Sequence, residues 1–453
     1  MARKFTTVDY AETLKQTVTI EECLAPHHLA RFIVGLMTLL DLRAIYARYA
    51  SVGGVAIAPE ILLGLLFYGY ATGMFSSRKL EKATYESIPF RFIAGGLHPD
   101  HDTIAYFRKT FLAEIKELFV QVLVIAAEAG VLQFGNINIS LDGSKIHADA
   151  SKSQAVSYGR LLELEQGLRQ EVEALLTLGE QAEQSALPDG LNLADEIAFR
   201  QGRLANLAEA KRVLEARAQE RYAAEQAEYE AKLRTRELKT QETGRKPGGR
   251  APGPPTPGPR ADDQYNFTDP DSRIMKNSTN KGVDQDYNVQ AAVDQASRLI
   301  VGNLVSNHPN DKNEALPTVD AIPPEVGTPA AAALDNGYFS AANIAGLEAR
   351  SIDPYIATGR EPHHQSWQAY FAEQPTPPPA DASPTVKMAY KLQTALGQTI
   401  YGLRKSTIEP VIGIIKEVLG FRQFSLRGLG AVAGEWCLVC LAFNLKRLHV
   451  LLA

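Results

Sequence analysis

Cysteine is nearly missing from this chain: three in 453 residues, Cys23, Cys437 and Cys440, are too few for a disulfide framework. The opening Met-Ala-Arg-Lys-Phe lacks the apolar stretch of a secretory signal. Both absences point to a reducing, cytoplasmic setting. A second Cys pair or a His cluster is also lacking, so the Cys437-Leu-Val-Cys440 pair has nothing with which to complete a zinc site. It is expected as two thiols buried on a core helix. No transmembrane anchor is expected either. The stretch Ile57 to Phe75 comes nearest, but it contains Pro59 and Glu60 and has no basic flank on its first side, so a buried helix is expected and no membrane partner.

Positive charge is in short supply overall. The formal net charge of -5 weighs against a nucleic-acid partner when the chain is taken whole. Its distribution tells a different story. From Tyr401 to Ala453 the bases Arg404, Lys405, Lys416, Arg422, Arg427, Lys446 and Arg447 outnumber the acids Glu409, Glu417 and Glu435. A phosphate backbone senses local sign, because salt screens distant charges.

What is present divides along the chain. Residues 1–135 read as successive helices, with helical apolar spacing in His28-Leu-Ala-Arg-Phe-Ile-Val and Phe107-Arg-Lys-Thr-Phe-Leu. Pro59 suits a first helical turn, and Asp100 or Asp102 can cap a helix beginning near Thr103. A helix-turn-helix reader and a plain helical bundle both fit this pattern. At Asn136 the alternation Asn-Ile-Asn-Ile-Ser-Leu-Asp predicts a strand ending at Asp142. Residues 153–260 read as an insertion: an Ala/Leu/Glu-rich helical hairpin or coiled coil with a turn at Leu187 to Gly190, then a mobile, extended linker from Lys246 to Arg260. Strands are expected again at Tyr287, Leu299, Ala330 and Asp353, with a helix from Ser340 to Arg350. A loop rich in Pro, Gln and Ala follows between His363 and Thr385. Met388 to the end is expected to be helical throughout, with one continuous helix carrying Tyr401, Arg404, Glu409 and Lys416. Residues 136–152 and 261–453 thus predict one α/β core with mixed strand pairing.

Asp142 and Asp335 each stand at a predicted strand end beside a glycine turn, where α/β sheets bind ligands. Either can equally be the start of an ordinary turn. Glu409 lies on a helix with Lys416 two turns on and Arg404 about one turn before, which a solvated charged face would explain as well. His147, His308, Asp269, Asp271, Arg273 and Tyr338 lie near these positions, and for each a structural role is expected ahead of a functional one.

Taken together, several of these segments resemble the DDE transposases of bacterial insertion sequences, of the insertion sequence 1182 type, related to the insertion sequence 4 and 5 groups. The likeness rests on Ser76-Ser-Arg-Lys-Leu-Glu, Pro99-Asp-His-Asp-Thr-Ile, Leu141-Asp-Gly-Ser-Lys-Ile, Tyr287-Asn-Val-Gln-Ala, Leu334-Asp-Asn-Gly-Tyr-Phe and the Tyr, Arg, Glu, Lys helix, in that order. The resemblance implies a ribonuclease-H-like mixed sheet flanked by helices and an N-terminal helical domain that recognises transposon ends. It also implies that Asp142, Asp335 and Glu409 hold two Mg²⁺ ions, with Mn²⁺ as a substitute, and that Tyr401, Arg404 and Lys416 contact DNA. Four residues, Lys405 to Ile408, separate Arg404 from Glu409, one more than in one branch of that group. Paired hard cations about 3.5–4 Å apart would neutralise the phosphate, activate water and stabilise the leaving oxygen. The implied partners are double-stranded DNA, as terminal inverted repeats and target, and a second copy of the chain in a synaptic complex. A related metal-dependent nuclease, and a DNA-binding protein of the same fold without catalysis, are the competing readings.

Overall fold

A computed structural model describes residue 17 and residues 19–49, 54–182, 192–245, 248–249, 251–276, 282–359 and 376–453. The expected turn at Leu187 to Gly190 and most of the loop between His363 and Thr385 lie outside the described residues. The chain separates into two compact units, one of residues 1–149 with 286–453 and one of residues 150–285.

Among the described residues the first unit opens with eight helices: α1 (Ile20–Cys23), α2 (Leu29–Met37), α3 (Arg43–Tyr46), α4 (Pro59–Ala71), α5 (Ser77–Glu86), α6 (Ile88–Ile93), α7 (His101–Thr110) and α8 (Leu112–Glu128). Pro59 opens α4, where its missing N–H is no loss, and the Asp100 carboxylate caps α7 by accepting from the Thr103 N–H at 2.7 Å. Nearly every residue of α4 is buried, as its all-round apolar sequence requires. With 13 residues it is a core helix, too short to span a bilayer.

Strand β1 (Asn138–His147) leads into the second unit. There β2 (Ala155–Ser157) precedes α9 (Tyr158–Ala182) and α10 (Leu193–Thr243), and β3 (Gln264–Asn266) and β4 (Arg273–Lys276) follow. Leu161 and Leu168 of α9 pack against Leu207, Ala210 and Leu214 of α10, an antiparallel seam at helical spacing. The Pro-rich return is extended but held. Arg221 on α10 donates to Asp263 at 2.8 Å and to the Gly258 carbonyl at 3.1 Å, and Arg260 donates to Glu225 at 2.8 Å. Proline leaves no ladder there, and arginine side chains of the helix and the return supply other donors. Asp269 is buried in a turn that accepts from the Asp271 N–H, a structural role.

Back in the first unit, β5 (Val283–Asp294, whose first three residues count with the second unit), β6 (Ile300–Ser306), β7 (Ala331–Leu334) and β8 (Asp353–Ile356) join β1 in the order β6-β5-β1-β7-β8. β1 pairs antiparallel with β5 and parallel with β7, and β7 pairs parallel with β8. Helices α11 (Ala315–Asp320), α12 (Ala341–Ala349), α13 (Pro384–Gln393), α14 (Ala395–Gly402), α15 (Arg404–Gly413) and α16 (Leu429–Leu452) complete a mixed α/β sheet flanked by helices. α16 packs on α8, α4 and β6. It is long and apolar enough to cross a membrane by length and composition, yet 67% of its apolar window is buried, and Cys437 and Cys440 lie in that buried part.

Three expectations are corrected. β1 does not end at Asp142: antiparallel pairing with β5 carries it to His147, and only the parallel pairing with β7 stops, at Leu141 opposite Leu334. The helix expected from Tyr401 to Lys416 is broken at Leu403, and it widens into a π-turn at Ile414–Val418 after the interior Pro410. The C-terminal segment is not helical throughout, since residues 420–428 run irregularly and bridge Gln423 to His147.

Candidate active site

Ser140, Asp142 and Ser144 alternate onto one face of β1, and the segment from Ile400 to Lys416 lies along that face. Thr407, buried at 1% exposure, donates to Ser140 Oγ at 2.8 Å, docking α15 on the strand. Gln295 reinforces the seam by donating to Ser140 Oγ at 3.0 Å and to the Ile400 carbonyl at 2.9 Å. Farther along, Lys416 donates to Ser144 Oγ at 3.0 Å and the Lys145 carbonyl at 3.3 Å. Burial lowers the Lys416 pKa.

Docked this way, α15 delivers Arg404 between two of the expected acids. Its Nη1 donates to Asp142 Oδ2 at 3.1 Å and its Nη2 to Glu409 Oε1 at 3.0 Å. Asp335 is the residue after β7 ends, and the neighbouring end of the parallel pair holds Asp142. Its Oδ1 accepts from the Gly337 N–H at 2.8 Å. Burial, and then the nearby Asp335 carboxylate, push the Asp142 pKa up to about 7, against the pull of Arg404. Burial raises Asp335 as well, opposed by Gly337 and Arg404. Burial works to lower the Arg404 pKa, but Asp142, Tyr401, Glu409 and Asp335 together outweigh it. The site therefore holds an excess of negative charge, on the part-buried Asp142 and Asp335 and the exposed Glu409, only partly offset by one guanidinium.

A fourth acid, Asp311, joins the three expected from the sequence. In the loop after β6, it accepts at Oδ1 from Asn288 Nδ2 at 2.8 Å and Gln290 Nε2 at 2.9 Å. It lies against the opposite face of β1, where a Cβ on Gly143 would come within 2.6 Å of Asp311 Oδ1. That close approach explains why glycine follows Asp142. Tyr338, fully buried, donates to Gln290 Oε1 and fixes the amide. Asp311 adds to the repulsion felt by Asp142 and Asp335. Its only sequence signal is an acid in a polar loop, which turns share.

Other expected residues fall elsewhere. Tyr401 is buried, its ring 5.9 Å from the Arg404 guanidinium carbon. Lys416 does not join the three acids and instead braces β1 beyond Asp142, because the π-turn shifts it off the helical register. His147 Nδ1 bonds Asp286 at 2.7 Å and His308 Nδ1 bonds Glu314 at 2.6 Å.

The donor chemistry around Asp142 suits a hard divalent cation, since every acidic group is a carboxylate and the burial and like charge that raise the pKa values of Asp142 and Asp335 are what a cation would relieve. Among the described residues, however, no three His, Cys, Asp or Glu side chains are grouped to hold a metal ion while Arg404 stands between Asp142 and Glu409.

Two parts of the chain match known families. Residues 18–110 match a family described as "Transposase domain (DUF772)", and residues 379–449 match one described as "Transposase DDE domain". The first covers α1 to α7, and the second covers the segment bearing Tyr401, Arg404, Glu409 and Lys416. Asp142, Asp335 and Asp311 lie outside both. The two matches support a DNA transposase of the DDE type, an enzyme acting on DNA. No curated protein and no solved structure matches the chain.

Proposed function

We propose that this chain is the transposase of an insertion sequence of the 1182 type, built on a ribonuclease-H-like core, which binds the element's terminal inverted repeats and carries out Mg²⁺-dependent cleavage and strand transfer. The observation that carries the reading is the Arg404 guanidinium bridging Asp142 of β1 and Glu409 of the docked helix α15, with Asp335 following the end of the adjoining parallel strand β7. Small-molecule hydrolysis needs no such helical N-terminal part and no basic end-facing helix.

In this reading Asp142, Asp335 and Glu409 hold the divalent ions. Those ions supply charge neutralisation of the scissile phosphate and an activated water or 3′-hydroxyl. The chain's own residues do the remainder. Ser140 and Thr407 fix α15 against β1, so that Glu409 and Asp142 keep their mutual placement. Arg404, planar and permanently charged, orients a phosphate beside the acids, with Tyr401 behind it. Lys416 holds β1 straight past Asp142. Residues 1–135 serve end recognition, residues 153–260 form an insertion, and a second copy of the chain joins two ends in one complex.

The test is cleavage of a labelled duplex carrying the element's ends, in Mg²⁺, by wild type, Asp335→Ala and Glu409→Ala. End cleavage by wild type, reduced at least about a thousandfold in both variants while end binding persists, is expected for residues acting as a unit. Undiminished cutting by the variants would assign the chemistry elsewhere. Binding without cutting by any version would make the chain a DNA-binding protein.

A further inference from the structure

Arg404 is used in an unusual way. An arginine that serves one carboxylate commonly grips it with two parallel N–H bonds. Here the guanidinium spans two acids, giving Nη1 to Asp142 and Nη2 to Glu409, and its buried Nε finds no hydrogen-bond partner among the described residues. The side chain is 12% exposed, the Asp142 side chain 23%. Spanning thus leaves a donor unsatisfied in order to put one positive charge between carboxylates that come from β1 and α15. Asp335 and Asp311 add further negative charge that the single guanidinium does not balance.

Resting on the reading of the site given above, we propose that Arg404 takes in the free protein the place of a divalent cation between Asp142 and Glu409, so that guanidinium and cation exclude one another. A doubly charged ion would satisfy the acids better than one arginine does. A phosphodiester is the group best matched to the displaced fork. DNA and the cation therefore favour each other's binding, each by the same factor, because either one releases the other's site from Arg404.

The experiment titrates Mn²⁺ alone into the full, metal-free chain, following bound ion by electron paramagnetic resonance and the melting temperature in parallel. Wild type, Arg404→Ala, Arg404→Lys and Asp142→Asn are compared. Arg404→Ala is expected to bind Mn²⁺ about tenfold more tightly than wild type, the scale of a hydrogen bond to a charged group, and to gain more in melting temperature. Arg404→Lys, which keeps the charge but lacks the fork to bridge both acids, should fall between, and it serves if the Ala variant folds poorly. A duplex that the wild type binds in an anisotropy assay should tighten wild-type Mn²⁺ binding and leave Arg404→Ala unmoved. Equal Mn²⁺ affinity in wild type and both Arg404 variants, abolished by Asp142→Asn, would overturn the exclusion while leaving the acid site standing. Mn²⁺ binding indifferent to Asp142→Asn would overturn both.

Discussion

Two clusters of buried charge in the first unit solve opposite problems. Around Glu435 on α16 every oxygen is occupied. Oε2 accepts from the Ser425 and Leu426 N–H groups at 2.9 Å each, and Oε1 accepts from Ser425 Oγ at 2.8 Å and Tyr70 OH at 3.3 Å. Arg108 donates to Tyr70 OH at 2.8 Å and to the Phe75 carbonyl at 3.0 Å, and its guanidinium is 3.9 Å from the Glu435 carboxylate. The Glu435 carboxylate is paired with one guanidinium and hydrogen-bonded at both oxygens, though Arg108 Nε, like Arg404 Nε, has no partner among the described residues, and this cluster ties α4 and α7 to the last helix. Around Asp142 the charges do not balance: carboxylates crowd and one guanidinium is shared between two of them. A charge-balanced cluster holds a fold together, whereas an unbalanced one that the fold nonetheless maintains is a place where a ligand completes the structure.

The contrast is tested hardest at Glu435. Glu435→Ala would leave Arg108 without its counter-charge and two backbone donors without their acceptor, and a loss of about 3 kcal/mol or more is expected in denaturant unfolding. A change below about 1 kcal/mol would mean that the cluster does not hold the helices together.

Asp142→Asn should act in the other direction, and with a pH signature. A carboxyl whose folded pKa is raised to about 7 gives most stability below its unfolded value and loses it as pH rises through the folded one. In chelator, the Asn variant should therefore gain on wild type between pH 4 and pH 8 by on the order of 2 kcal/mol, discounted for partial exposure. A pH-independent difference would sink the claim that Asp142 is electrostatically strained.

Gly143→Ala introduces a Cβ against Gln290 and Asp311 and should cost about 1–3 kcal/mol by overpacking, with the Asp311 loop shifted. The smallest effect is expected for Asp311→Asn. It keeps an acceptor for Asn288 and Gln290 while removing one repelling charge, so its stability should match or exceed wild type within about 1 kcal/mol. Marked destabilisation would recast Asp311 as a structural acid of the Glu435 kind.

Much of this is readable from local pattern. Alternation marks β1, β5 and β6, helical spacing marks the α9 and α10 pair, and a strand end followed by Asn-Gly marks Asp335. Less visible is anything decided by partners distant in sequence. β1 runs past Asp142 because β5, over a hundred residues later, pairs with it to His147. The break at Leu403 and the π-turn at Ile414–Val418 answer to packing on β1, so Lys416 leaves the face that an ideal helix would give it. Asp311 and Glu435 become conspicuous only once the chain brings Gln290, Gly143, Tyr70 and Arg108 to them.

Anomalous scattering from Mn²⁺ in crystals of the full chain bound to DNA tests the central claim most directly. Mn²⁺ coordinated by Asp142 and Glu409, with Arg404 withdrawn from both onto a phosphate, is the predicted result. Mn²⁺ absent from these acids, with Arg404 still bridging Asp142 and Glu409 on bound DNA, would contradict it.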